Sequence, residues 1–69
     1  MNIEEQIIIG AIAYIDNRTL RYASIEEIHK HVYLSMEEVK TQLERLVDDK
    51  IIKLEDGFYT IIGAYKKGN

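Results

Sequence analysis

The sequence predicts a small α+β domain, mainly α, in which three helices precede a C-terminal β-hairpin. Two segments with helix-capping signals follow one another closely between residues 24 and 48. Beyond them, Asp56-Gly57 separates two apolar segments, which is typical of a hairpin turn. The 69 residues suffice for one domain, so we assign residues 1–65 to it and residues 66–69 to a flexible basic tail.

The first predicted helix covers residues 3–17 and is apolar around more than half of its circumference. A surface helix needs only one apolar stripe, about 100° wide. We therefore expect burial on two sides, one against this domain and one against a second copy of the chain. The sequence predicts a homodimer whose interface includes Ile8, Ile9 and Ile12.

The next two helices share a start signal, a serine followed three residues later by a glutamate. In this capping box the two side chains satisfy backbone N–H groups at the helix start. The signal occurs at Ser24 with Glu27 and at Ser35 with Glu38, after a short predicted strand at residues 21–23. Apolar residues at helical spacing form the expected buried faces, which are Ile25, Ile28 and Val32 in the second helix and Met36, Val39, Leu43, Leu46 and Val47 in the third.

The hairpin prediction includes a strand register. Asp and Gly tolerate the positive φ angles that a type I′ turn requires at both central positions. A turn at Asp56-Gly57 brings most apolar side chains of the hairpin to one face, as a half-buried hairpin requires, whereas Phe58 points to the other face with the polar side chains. The predicted pairs are Ile52 with Ile61, Lys53 with Thr60, Leu54 with Tyr59 and Glu55 with Phe58.

This succession of elements resembles the winged helix-turn-helix superfamily, and within it the small transcription regulators of archaea, bacteria and viruses. In that family the third helix enters the DNA major groove and the hairpin forms the wing. The resemblance therefore implies a homodimeric transcription regulator that binds double-stranded DNA. The residues that carry it are Ile25, Ile28, Leu34-Ser35, Val39, Leu43, Leu46, Ile51-Ile52 and residues 57–60.

The resemblance also implies a set of DNA contacts. Thr41, Gln42 and Arg45 are expected to contact bases, because they lie on the third helix. Contacts to phosphates are expected from residues near the start of that helix and from three lysines. The full expected set is Lys30, Tyr33, Ser35, Lys40, Thr41, Gln42, Arg45 and Lys53, with Arg18, Arg21, Lys66 and Lys67 as further basic residues at the rim.

The charge of the chain supports an alternative function. The net charge is −3, whereas affinity for nucleic acid depends on Lys and Arg that neutralise phosphates. The expected polar face of the third helix carries four acidic and two basic residues, and the wing tip is Glu55-Asp56. A winged-helix protein–protein interaction module that does not bind DNA is therefore the alternative.

The sequence contains no recognisable motif for catalysis or for a cofactor. It has no cysteine, which excludes disulfides and thiolate metal sites. His29 and His31 are two residues apart, whereas metal pairs on helices are spaced i, i+4. The longest apolar run, residues 7–15, is shorter than the roughly 20 residues of a membrane span, and we find no targeting segment. We expect a cytoplasmic, non-enzymatic protein with no metal, no cofactor, no small-molecule substrate and no membrane partner.

Overall fold

The computed structural model describes residues 2–19 and 22–62. Within these residues the elements are α1 (Ile3–Tyr14), α2 (Ile25–Lys30), α3 (Met36–Asp48), β1 (Ile52–Glu55) and β2 (Phe58–Ile61). The two strands form an antiparallel sheet. The predicted α+β, mainly α, winged-helix-like layout is confirmed. The predicted basic tail at residues 66–69 lies outside the described residues, as does Arg21 in the predicted first strand.

The first helix begins at an asparagine cap. The Glu5 N–H donates to Asn2 Oδ1 at 2.7 Å, and the Asn2 N–H donates to Glu5 Oε1 at 2.9 Å. This reciprocal capping box satisfies two N–H groups that have no partner within the helix. α1 ends at Tyr14, and a π-helical segment, Ile15–Thr19, follows it directly. The helix end predicted at residue 17 therefore falls inside this wider turn.

Both predicted serine caps are present, but only the Ser35–Glu38 pair forms the full reciprocal capping box, whereas Ser24 caps α2 with its own side chain alone. The Glu27 N–H donates to Ser24 Oγ at 3.2 Å, and the Glu38 N–H donates to Ser35 Oγ at 3.1 Å. Residues 31–35 connect α2 to α3, and this short connection keeps the two helices in contact. Local hydrogen bonding thus fixes where α2 and α3 begin.

All four predicted strand pairs of the wing are present. Asp56 and Gly57 have φ angles of 53° and 84°, which are the positive angles of a type I′ turn. Ala23 forms an isolated bridge with Tyr59, whose N–H donates to the Ala23 carbonyl at 2.8 Å. The described part of the predicted first strand is therefore a single bridge, which ties the segment before α2 to the wing.

One apolar core joins the three helices to the wing. α1 packs against α3 and β2, and α3 also packs against β1. The apolar faces predicted for α2 and α3 point into this core, apart from the half-buried Met36, and so do the ends of the hairpin. The buried residues are Ile8, Ala11, Ile12, Ile15, Ala23, Ile28, Val39, Leu43, Leu46, Ile52 and Ile61.

The predicted dimer interface on α1 is wrong for two of its three residues. Ile8 and Ile12 are 0% exposed in the single chain, because they lie in the core that α1 shares with α3 and β2. They have no side-chain surface left for a second copy. Ile9 is only partly buried. The large exposed apolar residues of α1 are Ile3, Ile7 and Tyr14.

Candidate docking face on the third helix

The polar face of α3 is not covered by the rest of the described chain. Residues four, three and four apart lie along one line of a helix, because each residue turns it by about 100°. We call the line opposite the buried face the acidic ridge. The acidic ridge consists of Glu37, Thr41, Glu44 and Asp48, all of which are exposed.

Two of the predicted DNA-contacting residues flank the acidic ridge. Lys40 and Arg45 are exposed, and helix geometry puts them on opposite sides of it. Thr41, another predicted contact, lies on the ridge between Glu37 and Glu44. The face of α3 therefore presents three carboxylates along its centre and one cation on each side.

Gln42 is not available for the base contact that the sequence predicted, and this prediction is wrong. Gln42 is only 6% exposed, because it lies on the side of α3 that meets α1. Its Nε2 donates to Glu4 Oε1 at 3.4 Å, and its Oε1 has no hydrogen-bond partner within the described part of the chain. A Gln that reads a base must present both the oxygen and the NH2 group of its side-chain amide to the groove.

Ser35 is exposed but its polar groups serve the start of α3. Its hydroxyl accepts the Glu38 N–H, and its own backbone N–H donates to Glu38 Oε1 at 2.9 Å. The N-terminus of a helix attracts anions, and here the protein's own carboxylate occupies that position. A DNA phosphate at this place would have to displace or tolerate the Glu38 charge.

The end of α2 and the following turn present the next group of predicted contacts. Lys30 and Tyr33 are both exposed, as their predicted role requires. The neighbouring His31 Nδ1–H donates to the Glu27 carbonyl at 3.0 Å, and its ring lies against Tyr14 with centroids 5.3 Å apart. Among residues 2–19 and 22–62, no group of His, Asp or Glu side chains has an arrangement that could hold a metal ion.

The wing presents little free positive charge. Lys53 is exposed, but its Nζ lies 3.4 Å from Glu55 Oε1. An exposed ion pair of this kind contributes at most about 1 kcal/mol, so Lys53 can leave it to meet a phosphate at small cost. The tip itself consists of Glu55 and Asp56, which would face a DNA backbone with two more negative charges.

A broad, open groove of about 900 Å³ runs along the first half of α3. Glu4 reaches it from α1, so that two helices contribute carboxylates to one depression. The groove contains four glutamates and a single lysine, which gives it a strongly negative character. Its lining residues are Glu4, Ser35, Glu37, Glu38, Lys40, Thr41, Gln42 and Glu44.

The other side of α3 meets the wing at Tyr59. Burial raises the pKa of the Tyr59 hydroxyl above its ordinary value of 10.0, and the negative charge of Glu44 raises this pKa further. A cavity of about 320 Å³ between α3 and the wing includes both residues. The acidic ridge therefore influences the junction of α3 and wing electrostatically.

Sequence reasoning did not identify Glu4 as part of this face. Glu4 is 38 residues from Gln42 in the chain, and no local pattern relates the two. It also did not identify the ring contact of Tyr22 with Phe58, whose centroids are 5.7 Å apart. The predicted rim residues Arg21, Lys66 and Lys67 lie outside the described residues, and the side chain of Arg18 does as well.

No helix within the described ranges is long and apolar enough to cross a membrane.

The face assembled by α1, α3 and the wing is an acidic, largely open surface with isolated cations at its edges. Comparisons with models of protein families, with curated proteins and with solved structures give no match to this chain.

Proposed function

We propose that this chain is a winged-helix protein–protein interaction module that binds a basic region of a partner protein with its third helix. The observation that carries the proposal is the acidic ridge. Its three carboxylates belong to Glu37, Glu44 and Asp48. They lie exposed along the centre of the α3 face that the rest of the described chain leaves uncovered. We infer a non-enzymatic, cytoplasmic role, which rests on the cysteine-free sequence and its lack of catalytic motifs.

Electrostatics favour a basic protein over a nucleic acid at this face. Duplex DNA carries one negative charge per roughly 1.7 Å of its axis, so a ridge of carboxylates inserted into a groove meets phosphates on both sides. A partner's Lys and Arg side chains would instead find carboxylates from both α1 and α3 in the open groove. Complementary charge of this kind speeds association and excludes partners of the wrong sign.

The second candidate is a DNA-binding transcriptional regulator that reads duplex DNA with α3. The helix-turn-helix layout and the wing support it, together with the exposed Lys40, Thr41 and Arg45 on α3 and the exposed Lys30 and Tyr33 beside it. A homodimer would place two copies of α3 in successive major grooves, about 34–36 Å apart. The carboxylates of the acidic ridge weigh against this candidate, because a glutamate is compatible with only a few base contacts, such as cytosine N4.

Two fluorescence-anisotropy titrations distinguish these candidates. One uses a labelled oligo-arginine peptide and the other a labelled mixed-sequence DNA duplex, each at low and at physiological salt. We expect the wild-type chain to bind the peptide and not the duplex, with an affinity that falls as salt screens the charges.

A pair of charge-reversal variants locates the binding to the ridge. Glu44→Lys is expected to weaken peptide binding by about five- to tenfold, because it replaces an exposed ion pair with a like-charge contact. The control, Glu26→Lys, makes the same change of net charge at an exposed position of α2, and it should leave peptide binding close to wild type. Equal weakening by both variants would mean that the acidic ridge is not the site. Wild-type binding to the duplex, without binding to the peptide, would support the second candidate.

A further inference from the structure

The outward side of α1 carries a line of uncharged residues that are exposed in the single chain. Ile3 is 71% exposed, Ile7 42% and Tyr14 48%, and Gly10 lies between the last two. Their spacing of four, three and four residues is that of the a and d positions of a coiled-coil seam. We call these four residues the α1 seam.

The surface of the α1 seam has a depression at Gly10 next to the projecting side chain of Ile7. A Cβ atom placed on Gly10 would meet no atom within 4 Å beyond its chain neighbours and the backbone of its own helix, so the helix surface is open there. This position lies in a depression of about 290 Å³ that is lined by Ile7, Gly10, Ala11, Tyr14 and His31. Ile7 projects one helical turn before Gly10. A surface that offers both a projection and a matching hollow can pair with a copy of itself.

We propose that the α1 seam binds the α1 seam of a second copy of this chain, with the two helices antiparallel. A twofold axis between positions 7 and 10 sets Ile7 of each copy against Gly10 of the other. The same axis sets Ile3 of each copy against Tyr14 of the other. Each large side chain of the α1 seam then faces the other copy, and each Ile7 enters the hollow at Gly10. The proposal is independent of which macromolecule binds the acidic ridge.

The distribution of charge favours a second copy in the antiparallel direction. The chain has a net charge of −3, so two copies associate best through an area without charge, and none of the four seam residues is charged. A parallel pair would bring Glu4 of one copy close to Glu4 of the other. The antiparallel pair instead brings Glu4 near His31 of the other copy, because the His31 ring lies against Tyr14 at 5.3 Å.

The size of the α1 seam sets the strength of the association. A helix of 12 residues is about 18 Å long, and a face about 10 Å wide then covers roughly 200 Å² per copy. Stable interfaces bury about 800 Å² per partner. We therefore expect a dimer with a dissociation constant in the micromolar range or weaker, in rapid exchange with the monomer.

Sedimentation velocity over a wide concentration series tests the dimer. The wild-type chain is expected to shift from the monomer mass towards the dimer mass as concentration rises, whereas Ile7→Glu should remain monomeric and folded. The control is Leu54→Glu, which makes the same change at a wing residue that is 50% exposed and should dimerise like wild type. A wild-type chain that is monomeric at millimolar concentration, or an Ile7→Glu chain that dimerises equally well, would overturn the proposal.

A second variant guards against loss of fold, and mixtures test the direction. Gly10→Lys improves helix propensity and enters open space, so it should stay folded and yet block the hollow. In the antiparallel pair, Ile7→Glu and Gly10→Lys become neighbours, and their mixture should form a heterodimer that neither variant forms alone. Recovery in a mixture of Ile7→Glu with Ile7→Lys, but not in this one, would refute the antiparallel arrangement.

Discussion

At the scale of single residues, Tyr59 connects the wing to the rest of the fold. Its N–H donates to the Ala23 carbonyl, its strand partner is Leu54, and its side chain shares a cavity with Glu44. Burial and the Glu44 charge both favour the neutral phenol, so the folded chain holds this proton more tightly than the unfolded chain does.

The raised pKa of Tyr59 makes stability depend on pH in the alkaline range. The stabilisation is fully present below the unfolded-state pKa near 10, and it is lost as pH rises through the higher folded-state pKa. We expect Glu44→Gln to lower the Tyr59 pKa while leaving it above 10.0, because burial is the larger cause. An NMR titration of the tyrosine ring measures this, with Glu37→Gln as the control that removes a ridge charge elsewhere. An unchanged Tyr59 pKa in Glu44→Gln would contradict the assigned influence of Glu44.

The two sides of α1 should respond differently to truncation. Ile12 is fully buried, and removing its side chain to alanine is expected to cost about 2–5 kcal/mol of unfolding free energy. Ile3→Ala makes the same change on the exposed side, where it should cost less than about 0.5 kcal/mol. Urea denaturation at low protein concentration measures both. A small loss for Ile12→Ala would show that this side of α1 is not core.

At the scale of elements, the end of α3 contains a local strain. The Ile51 N–H donates to the Leu46 carbonyl and the Lys50 N–H donates to the Val47 carbonyl, each at 3.0 Å. These are the two bonds of a Schellman motif, which requires a left-handed residue after the helix. That residue is Lys50, with a φ of 60°, although glycine is preferred there because it has no Cβ.

We expect Lys50→Gly to stabilise the protein by about 1 kcal/mol, since it relieves the cost of a side chain in the left-handed region. Lys40→Gly is the matched control, because the same substitution inside an exposed part of α3 should destabilise by about 1 kcal/mol. Thermal and urea unfolding monitored by circular dichroism measure both. Destabilisation by Lys50→Gly would mean that the lysine side chain contributes more here than the backbone strain costs.

At the scale of the whole molecule, the fold presents two chemically distinct surfaces. The acidic ridge on α3 is charged, and the α1 seam is apolar. The two helices that carry them pack directly against each other. A domain of this size has a small core, which supplies no more than about 3–5 kcal/mol of stability. The free energy of association through the α1 seam should therefore be a noticeable fraction of the total stability of the chain.

This coupling predicts a melting temperature that depends on protein concentration. A dimer that forms only from folded chains stabilises them by mass action. We expect the wild-type melting temperature to rise with concentration, and that of Ile7→Glu to stay constant. Differential scanning calorimetry at several concentrations measures the effect, and Leu54→Glu should retain the wild-type dependence. A wild-type melting temperature that is independent of concentration would count against the dimer.

The sequence by itself determined the elements that depend on near neighbours in the chain. The serine caps of α2 and α3 lie within four residues of the N–H groups they bind, so the spacing of Ser and Glu suffices to predict them. The wing register follows from a turn at two residues, Asp56 and Gly57, and from the alternation of apolar side chains on both sides of it. The outward face of α3 could be predicted for the same reason, since its apolar residues mark the opposite side.

Only the tertiary structure decided which side of α1 is core. That helix is apolar around most of its surface, so its periodicity does not distinguish Ile8 and Ile12, which are buried, from Ile3 and Ile7, which are exposed. For a related reason, the sequence pattern did not predict the burial of Gln42 beside Glu4. Both results depend on where α3 and the wing pack against α1, and contacts between residues far apart in the chain leave no local pattern.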